Sequence, residues 1–209
     1  MNNHLYSRFG IKSVFIHLRY FWTLFVHKKK IIKGYNVSII GHHNIDLQMP
    51  IEIGLMKVGF VSSKERTLLN IEGKLIISGT YSISTGVRID VGKAGVIRIG
   101  KGGYINSFTK IIIHHSLTIG NNCMISWDCQ FLDEDFHSIK YDARHENNNE
   151  IVLGDNIWVG CGVKVYKGSF IADGCVIASD SIVKGRFLEK NVLIAGNPAK
   201  VIKRDVFWS

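Results

Sequence analysis

Proline is nearly missing: two residues, against 21 glycines, in a chain of 209. That balance suits a turn-rich, all-β solenoid. Cysteine is sparse as well. Cys123, Cys129, Cys161 and Cys175 form no C-x-x-C pair, which removes the common metal-ligand spacing. Disulfides are not expected, which favours the reducing cytoplasm. The early apolar run carries His17 and Arg19 and has no small-residue cleavage site, so it does not fit a secretory leader. It is also too short to span a bilayer. Acidic residues are few, 17 against 26 Lys and Arg, and the resulting +9 favours anionic partners. Nucleic acid is excluded among these, because the repeats lack basic side chains grouped with aromatic stacking positions.

What the chain does have is a period of six. Leu153, Val159, Val165, Ile171, Ile177 and Val183 are all apolar. The residues two before each are apolar or small: Ile151, Ile157, Val163, Ser169, Cys175 and Ser181. A helix cannot sustain that period, whereas short strands joined by tight turns can. Gly154, Gly160, Gly162, Gly168 and Gly174 are expected near the corners, where positive φ is often needed. Three hexads make one triangular coil of about eighteen residues, and stacked coils make a parallel β-helix with one continuous core. Cys123, Cys129 and Cys175 fall at the small inward position. The repeat starts weakly near Ile39 and is regular from Ile71. It slips in phase at Gly92–Gly95 and at His114–Ser116, where a corner is expected to bulge or broaden.

Three parts follow: an N-terminal helical segment 1–35, a β-helix over 36–198 with an insertion at 132–150, and a basic tail 199–209. In the first, Ile11, Val14, Phe15, Leu18, Trp22, Phe25 and Val26 form one apolar face of a helix, and Lys28, Lys29, Lys30 and Lys33 follow it. The preferred reading is a cap over the solenoid's open end. The other is peripheral membrane contact through residues 11–33. The insertion is too polar to be a coil wall and is expected to protrude as a functional loop.

The segments NNCMISWDCQFLDEDFHSI, GDNIWVGCGVKVYKGSFIADGCVIASDSIV and AGNPAKVIK carry a D-x-D-x-H insertion motif and a terminal N-P-A-K. Together they resemble the left-handed β-helix acyltransferases, and within them the bacterial polysaccharide O-acetyltransferase group. The resemblance covers roughly residues 70–204 and implies a homotrimer, acetyl-coenzyme A as donor, and active sites in grooves between subunits. The implied acceptor is a hydroxyl of a surface polysaccharide or its sugar precursor. N-acetylation of an amino-sugar nucleotide is the enzymatic alternative, and a hexapeptide scaffold in a glycan-synthesis assembly is the non-enzymatic one.

Transfer from a thioester to a sugar hydroxyl needs a base of near-neutral pKa, which histidine supplies. His137 matches the family's catalytic histidine. A carboxylate on its other ring nitrogen would fix the tautomer, with Asp135 preferred slightly to Asp133. His145, in the same insertion, is its rival and is otherwise assigned with Trp127 to the acceptor side. Histidines 42, 43, 114 and 115 read as surface or corner residues. Asp133, Asp135, His137 and His145 match no zinc spacing, so no metal is expected. Trp158 stands between Ile157 and Val159 and should point outward. By resemblance its indole N–H lies where it can meet the thioester carbonyl as negative charge develops. The resemblance also runs the donor's arm past backbone groups at Gly160, Gly162 and Ala178. Lys200, Lys203 and Arg204 either offer charge to its phosphates or form a solvated basic tail. Asp180 departs from the smaller, uncharged residues usual at that corner.

Overall fold

The computed structural model describes residues 12–62, 64–137 and 149–209. They form a left-handed parallel β-helix preceded by one helix, α1 (Lys12–His27). The described strands sort into three sheets of nine, seven and seven strands, which are the faces of a triangular prism. Numbered in the order the chain visits them, the first sheet opens with Ile31–Lys33, the second with Val37–Ile40 and the third with Ile45–Leu47. The solenoid therefore starts at Ile31, inside the segment 1–35 expected to precede it. At the far end Ala199–Lys203 turns back and pairs antiparallel with Leu193–Gly196.

Register turns the six-residue period into columns. Up the second sheet Leu69, Ile89, Ile111, Phe131, Val165 and Val183 are successive partners. Ile83, Ile105, Ile125, Val159, Ile177 and Ile194 do the same in the first sheet. All are buried in one cluster running the length of the prism. Each such side chain contributes about 1.5–3 kcal/mol by leaving water. The core is thus one uninterrupted hydrocarbon column, as the period implies.

Coil length is not uniform, and the coils that carry the two phase slips are longer than the eighteen residues of three regular hexads. Ile83 pairs with Ile105, Ile105 with Ile125, and Val159 with Ile177, so the coils below the insertion take 22 and 20 residues and the one above it 18. The lower strands are longer: Arg88–Val91 turns both Ile89 and Val91 inward, whereas Ile182–Val183 turns in Val183 alone. Both phase slips fall on one edge of the prism. Gly92–Gly95 joins Arg88–Val91 to Val96–Ile99, and residues 114–115 join Lys110–Ile113 to Ser116–Ile119. The insertion leaves Gln130–Leu132 and returns at Ile151–Leu153, on that same edge between the second and third sheets.

Corner chemistry is shared between glycine and Asx residues. Asn122, Asp128, Asn156, Asp180 and Asn191 all take positive φ, a conformation these residues tolerate better than most. Gly162 takes it too, at φ +69°, but Gly160 does not. Gly160 is required for close approach instead: a Cβ there would lie 2.6 Å from the Ser179 amide nitrogen of the coil above.

Helix α1 lies beside the lowest strands of the first sheet. Ile16 is 1% exposed and packs with Leu55 and the outward-facing Ile32. The apolar face marked out by the sequence is turned the other way: Val14, Phe15, Leu18, Trp22, Phe25 and Val26 are all exposed, and so is Phe21 beside them. The face expected to cap the solenoid is therefore not the one that packs on it. Among the described residues no helix is long and apolar enough to cross a membrane.

Candidate active site

The root of the insertion is built by one carboxylate. Asp133 is fully buried, and its Oδ1 accepts the His114 N–H at 2.8 Å. Its Oδ2 accepts those of His115 and Ser116, at 2.8 and 2.9 Å. These are the amides of the broadened corner in the coil below. Asp133 thus holds two coils together at the point where the chain leaves the solenoid, a structural use of the less preferred of the two aspartates considered for orienting His137.

Glu134 then folds back on the chain. Its Oε2 meets His115 Nε2 at 2.8 Å, and its Oε1 accepts the Asp135 N–H at 2.8 Å and the Phe136 N–H at 3.2 Å. The His115 hydrogen bond leads in lowering the Glu134 carboxyl to about 2. Phe136 sits edge-on against the His114 ring, with centroids 5.0 Å apart. His114 and His115 are corner residues as expected, and they brace the insertion. Asp135 is exposed and its Oδ2 lies 2.6 Å from Lys167 Nζ. His137 follows, exposed to solvent, on the same edge. His145 lies outside the described residues.

Trp158 stands on a different part of the prism. Its strand, Trp158–Val159, belongs to the first sheet, the face opposite the edge that bears His137. It points outward at 43% exposure, with its Nε1–H directed to Ser126 Oγ at a long 3.4 Å. The Trp208 ring lies beside it, with centroids 6.3 Å apart and planes 47° apart. Trp208 is held by its own Nε1–H, which donates to Asn156 O at 2.9 Å. Around this pair runs a groove of about 350 Å³, bordered also by Trp127, Gly160, Cys161 and Ser179. Trp127 is outward as expected and meets Phe60 edge-on at 5.8 Å. Phe60 comes from the long connection between Ile51–Ile53 and Thr67–Ile71.

Of the backbone groups expected to receive a ligand, the N–H groups are already engaged. Gly160 N–H donates to Ile177 O, Gly162 N–H to Trp127 O and Ala178 N–H to Ile194 O, at 2.8, 3.1 and 2.8 Å. Gly162 is additionally suited to glycine by its φ of +69°. What the groove offers is its indole walls, the Cys161 thiol and the Ser179 hydroxyl. The last two lie 3.2 Å apart.

No family model matches the chain. It is 40% identical over 185 residues to an uncharacterized 24.8 kDa protein in the cps region of Klebsiella pneumoniae, covering 88% of this chain and 83% of that one. It is 29% identical over 144 residues to an Escherichia coli protein named "Putative lipopolysaccharide biosynthesis O-acetyl transferase WbbJ", covering 64% and 73%. The chain belongs to the hexapeptide-repeat acyltransferases, in the bacterial polysaccharide O-acetyltransferase group. A solved hexapeptide transferase family protein from Anaplasma phagocytophilum shares the fold, with a TM-score of 0.50 and 22% identity over 77% of this chain and 82% of that one.

In this acyltransferase the basic tail is partly committed. Arg204 Nε lies 2.8 Å from Glu189 Oε1, while Lys200 and Lys203 are exposed on the last strand. Trp208 and Phe60 border or reach the groove from segments without any repeat. No periodicity marks either position, so only the fold brings them to Trp158 and Trp127.

Proposed function

We propose that this acyltransferase moves an acetyl group from acetyl-coenzyme A to a hydroxyl of a bacterial surface polysaccharide or its sugar precursor, as a homotrimer. The observation that carries the reading is the separation of its two reactive features. The His137 edge and the Trp158 face are on opposite sides of one prism, so a site using both requires two chains. They nevertheless share a height: the insertion lies between the coil of Met124 and that of Trp158, which are strand partners. A threefold axis parallel to the solenoid preserves height, and brings the His137 edge of one chain against the Trp158 face of the next.

In that groove His137 takes the proton of the acceptor hydroxyl. Asp135, held by Lys167, is the nearer of the two aspartates in sequence and the one with an exposed carboxylate. Asp133 positions the turn rather than the ring. Trp158 and Trp208 wall the acyl arm, and the weakly held Trp158 N–H is available to the carbonyl oxygen as charge develops. Trp127 and His145 are assigned to the acceptor. Lys200 and Lys203 offer charge to the donor's phosphates. The groove's apolar walls suit the donor's arm; the engaged amides at Gly160, Gly162 and Ala178 leave side chains and carbonyl lone pairs to hold it.

Thiol release from acetyl-coenzyme A with a panel of surface glycans and sugar nucleotides tests this reading. His137→Ala is expected to lower turnover by about a hundredfold or more with the fold intact. Acetylation confined to an amine would replace the reading by N-acetyl transfer, and donor binding without turnover on any glycan would remove the assigned acceptor class.

A further inference from the structure

Helix α1 is inverted relative to what packing alone would choose. Ile16 and Thr23 are buried toward the solenoid, yet the most apolar stripe faces away from it, with Phe25 90% and Trp22 65% exposed. The exposed positions recur at three- and four-residue steps along the whole helix, so this is one continuous stripe and not scattered side chains. An uncovered stripe of this kind requires an occupant.

Charge identifies its chemistry. The first acidic residue of the chain is Asp46, and seven Lys and Arg precede it. Lys28 and Lys30, both exposed, follow α1 directly; Lys29 is drawn inward to Ile45 O and Asp46. A second copy of the helix would set like charge against like. A peptide groove would need acids to match the lysines. A bilayer surface bearing anionic headgroups satisfies stripe and lysines together, since the apolar side chains enter the acyl boundary while the ammonium groups stay among the phosphates. The 16 described residues of α1 span about 24 Å, less than the thickness of the hydrocarbon layer, as suits a helix lying in the interface.

We propose that α1 is a membrane-docking helix that seats the enzyme on anionic lipid, Trp22 and Phe25 being its deepest anchors and Lys28 and Lys30 its headgroup contacts. The inference makes no use of the acyl-transfer chemistry, although α1 lies beside the lowest strands of the sheet that the proposed trimer sets against the next chain, so the mass measurement below separates lipid from a neighbouring chain. It addresses the end of the solenoid remote from Trp158 and makes no use of His137.

The test is sedimentation of the full chain with vesicles of phosphatidylglycerol and phosphatidylcholine, beside vesicles of phosphatidylcholine alone. The protein is expected to sediment with the first and not the second. Trp22→Glu with Phe25→Glu should abolish sedimentation while the melting temperature and the mass by light scattering stay unchanged. Lys28→Gln with Lys30→Gln should weaken binding by about tenfold or more. Wild-type protein that stays in the supernatant with both vesicles overturns the proposal. So does a double-glutamate variant that sediments like wild type, or one whose mass falls, which would assign the stripe to a second copy of the chain.

Discussion

Lys167 Nζ lies 2.6 Å from Asp135 Oδ2, joining the start of the insertion to the corner of the coil above it. Asp133, two residues earlier, bonds the corner of the coil below. The segment that presents His137 is therefore clamped from both sides at its root, although it leaves the solenoid there. The base proposed at His137 needs such anchoring, because small misplacements of a catalytic group cost large factors in rate.

Removing the lower clamp should be costly. Asp133→Ala strands three amide donors and is expected to destabilise the fold by about 1–3 kcal/mol. Asp133→Asn should rescue only part of this, because its NH₂ group cannot accept. Thermal melts of the two variants check the order, and equal melting temperatures for all three proteins would contradict it. Turnover should fall in both, through misplacement of His137.

Glu134 makes a pH-dependent contribution. Its folded pKa, about 2, lies below its ordinary value of 4.5. The stabilisation is therefore complete above pH 4.5 and is lost as pH falls toward 2. Its size is small, since the pair is largely solvated. Glu134→Gln should accordingly melt below wild type near neutral pH, and the gap should narrow on acidification toward about pH 3. A gap that widens in acid would mean the carboxylate is not what His115 holds.

Much of this was legible from spacing. The inward columns, the outward tryptophans and the place where the chain leaves the solenoid all follow from a period of six and its interruption. Stacking was not legible, because both phase slips and the insertion share an edge only after the coils are wound with unequal lengths. Trp208 and Phe60 lie outside any repeat, so nothing local ties them to the groove. The apolar stripe of α1 was plain in the sequence, but periodicity gives a face without saying what covers it.

The cysteines report on the groove. Burial pushes the Cys123 thiol up to about 11 and the Cys129 thiol up to about 12, and raises Cys175 as well. Near pH 8 only about one in a thousand Cys123 thiols is ionised, and fewer at Cys129. Cys161, on the groove wall and partly exposed, should be the one thiol that iodoacetamide labels in the native protein. Coenzyme A should slow that labelling. Unchanged labelling at saturating coenzyme A would move the donor out of this groove.

Trp208 should matter to donor binding more than to chemistry. Trp208→Ala removes one wall beside Trp158 and is expected to raise KM for acetyl-coenzyme A by about tenfold, leaving kcat within about a factor of two. Steady-state kinetics at saturating acceptor separates the two constants. A fall in kcat at unchanged KM would instead place Trp208 at the reacting atoms.

The central claim, a groove that takes His137 from one chain and Trp158 from the next, is tested most directly by mixing two inactive proteins. Trp158→Ala, like His137→Ala, is expected to lose about a hundredfold or more in turnover. Equal amounts of the two variants are unfolded, refolded together, and shown by mass to form mixed trimers. If each groove draws the two residues from different chains, about a quarter of the grooves regain both, and about a quarter of wild-type activity should return. Mixed trimers with no more activity than either parent would contradict the shared groove.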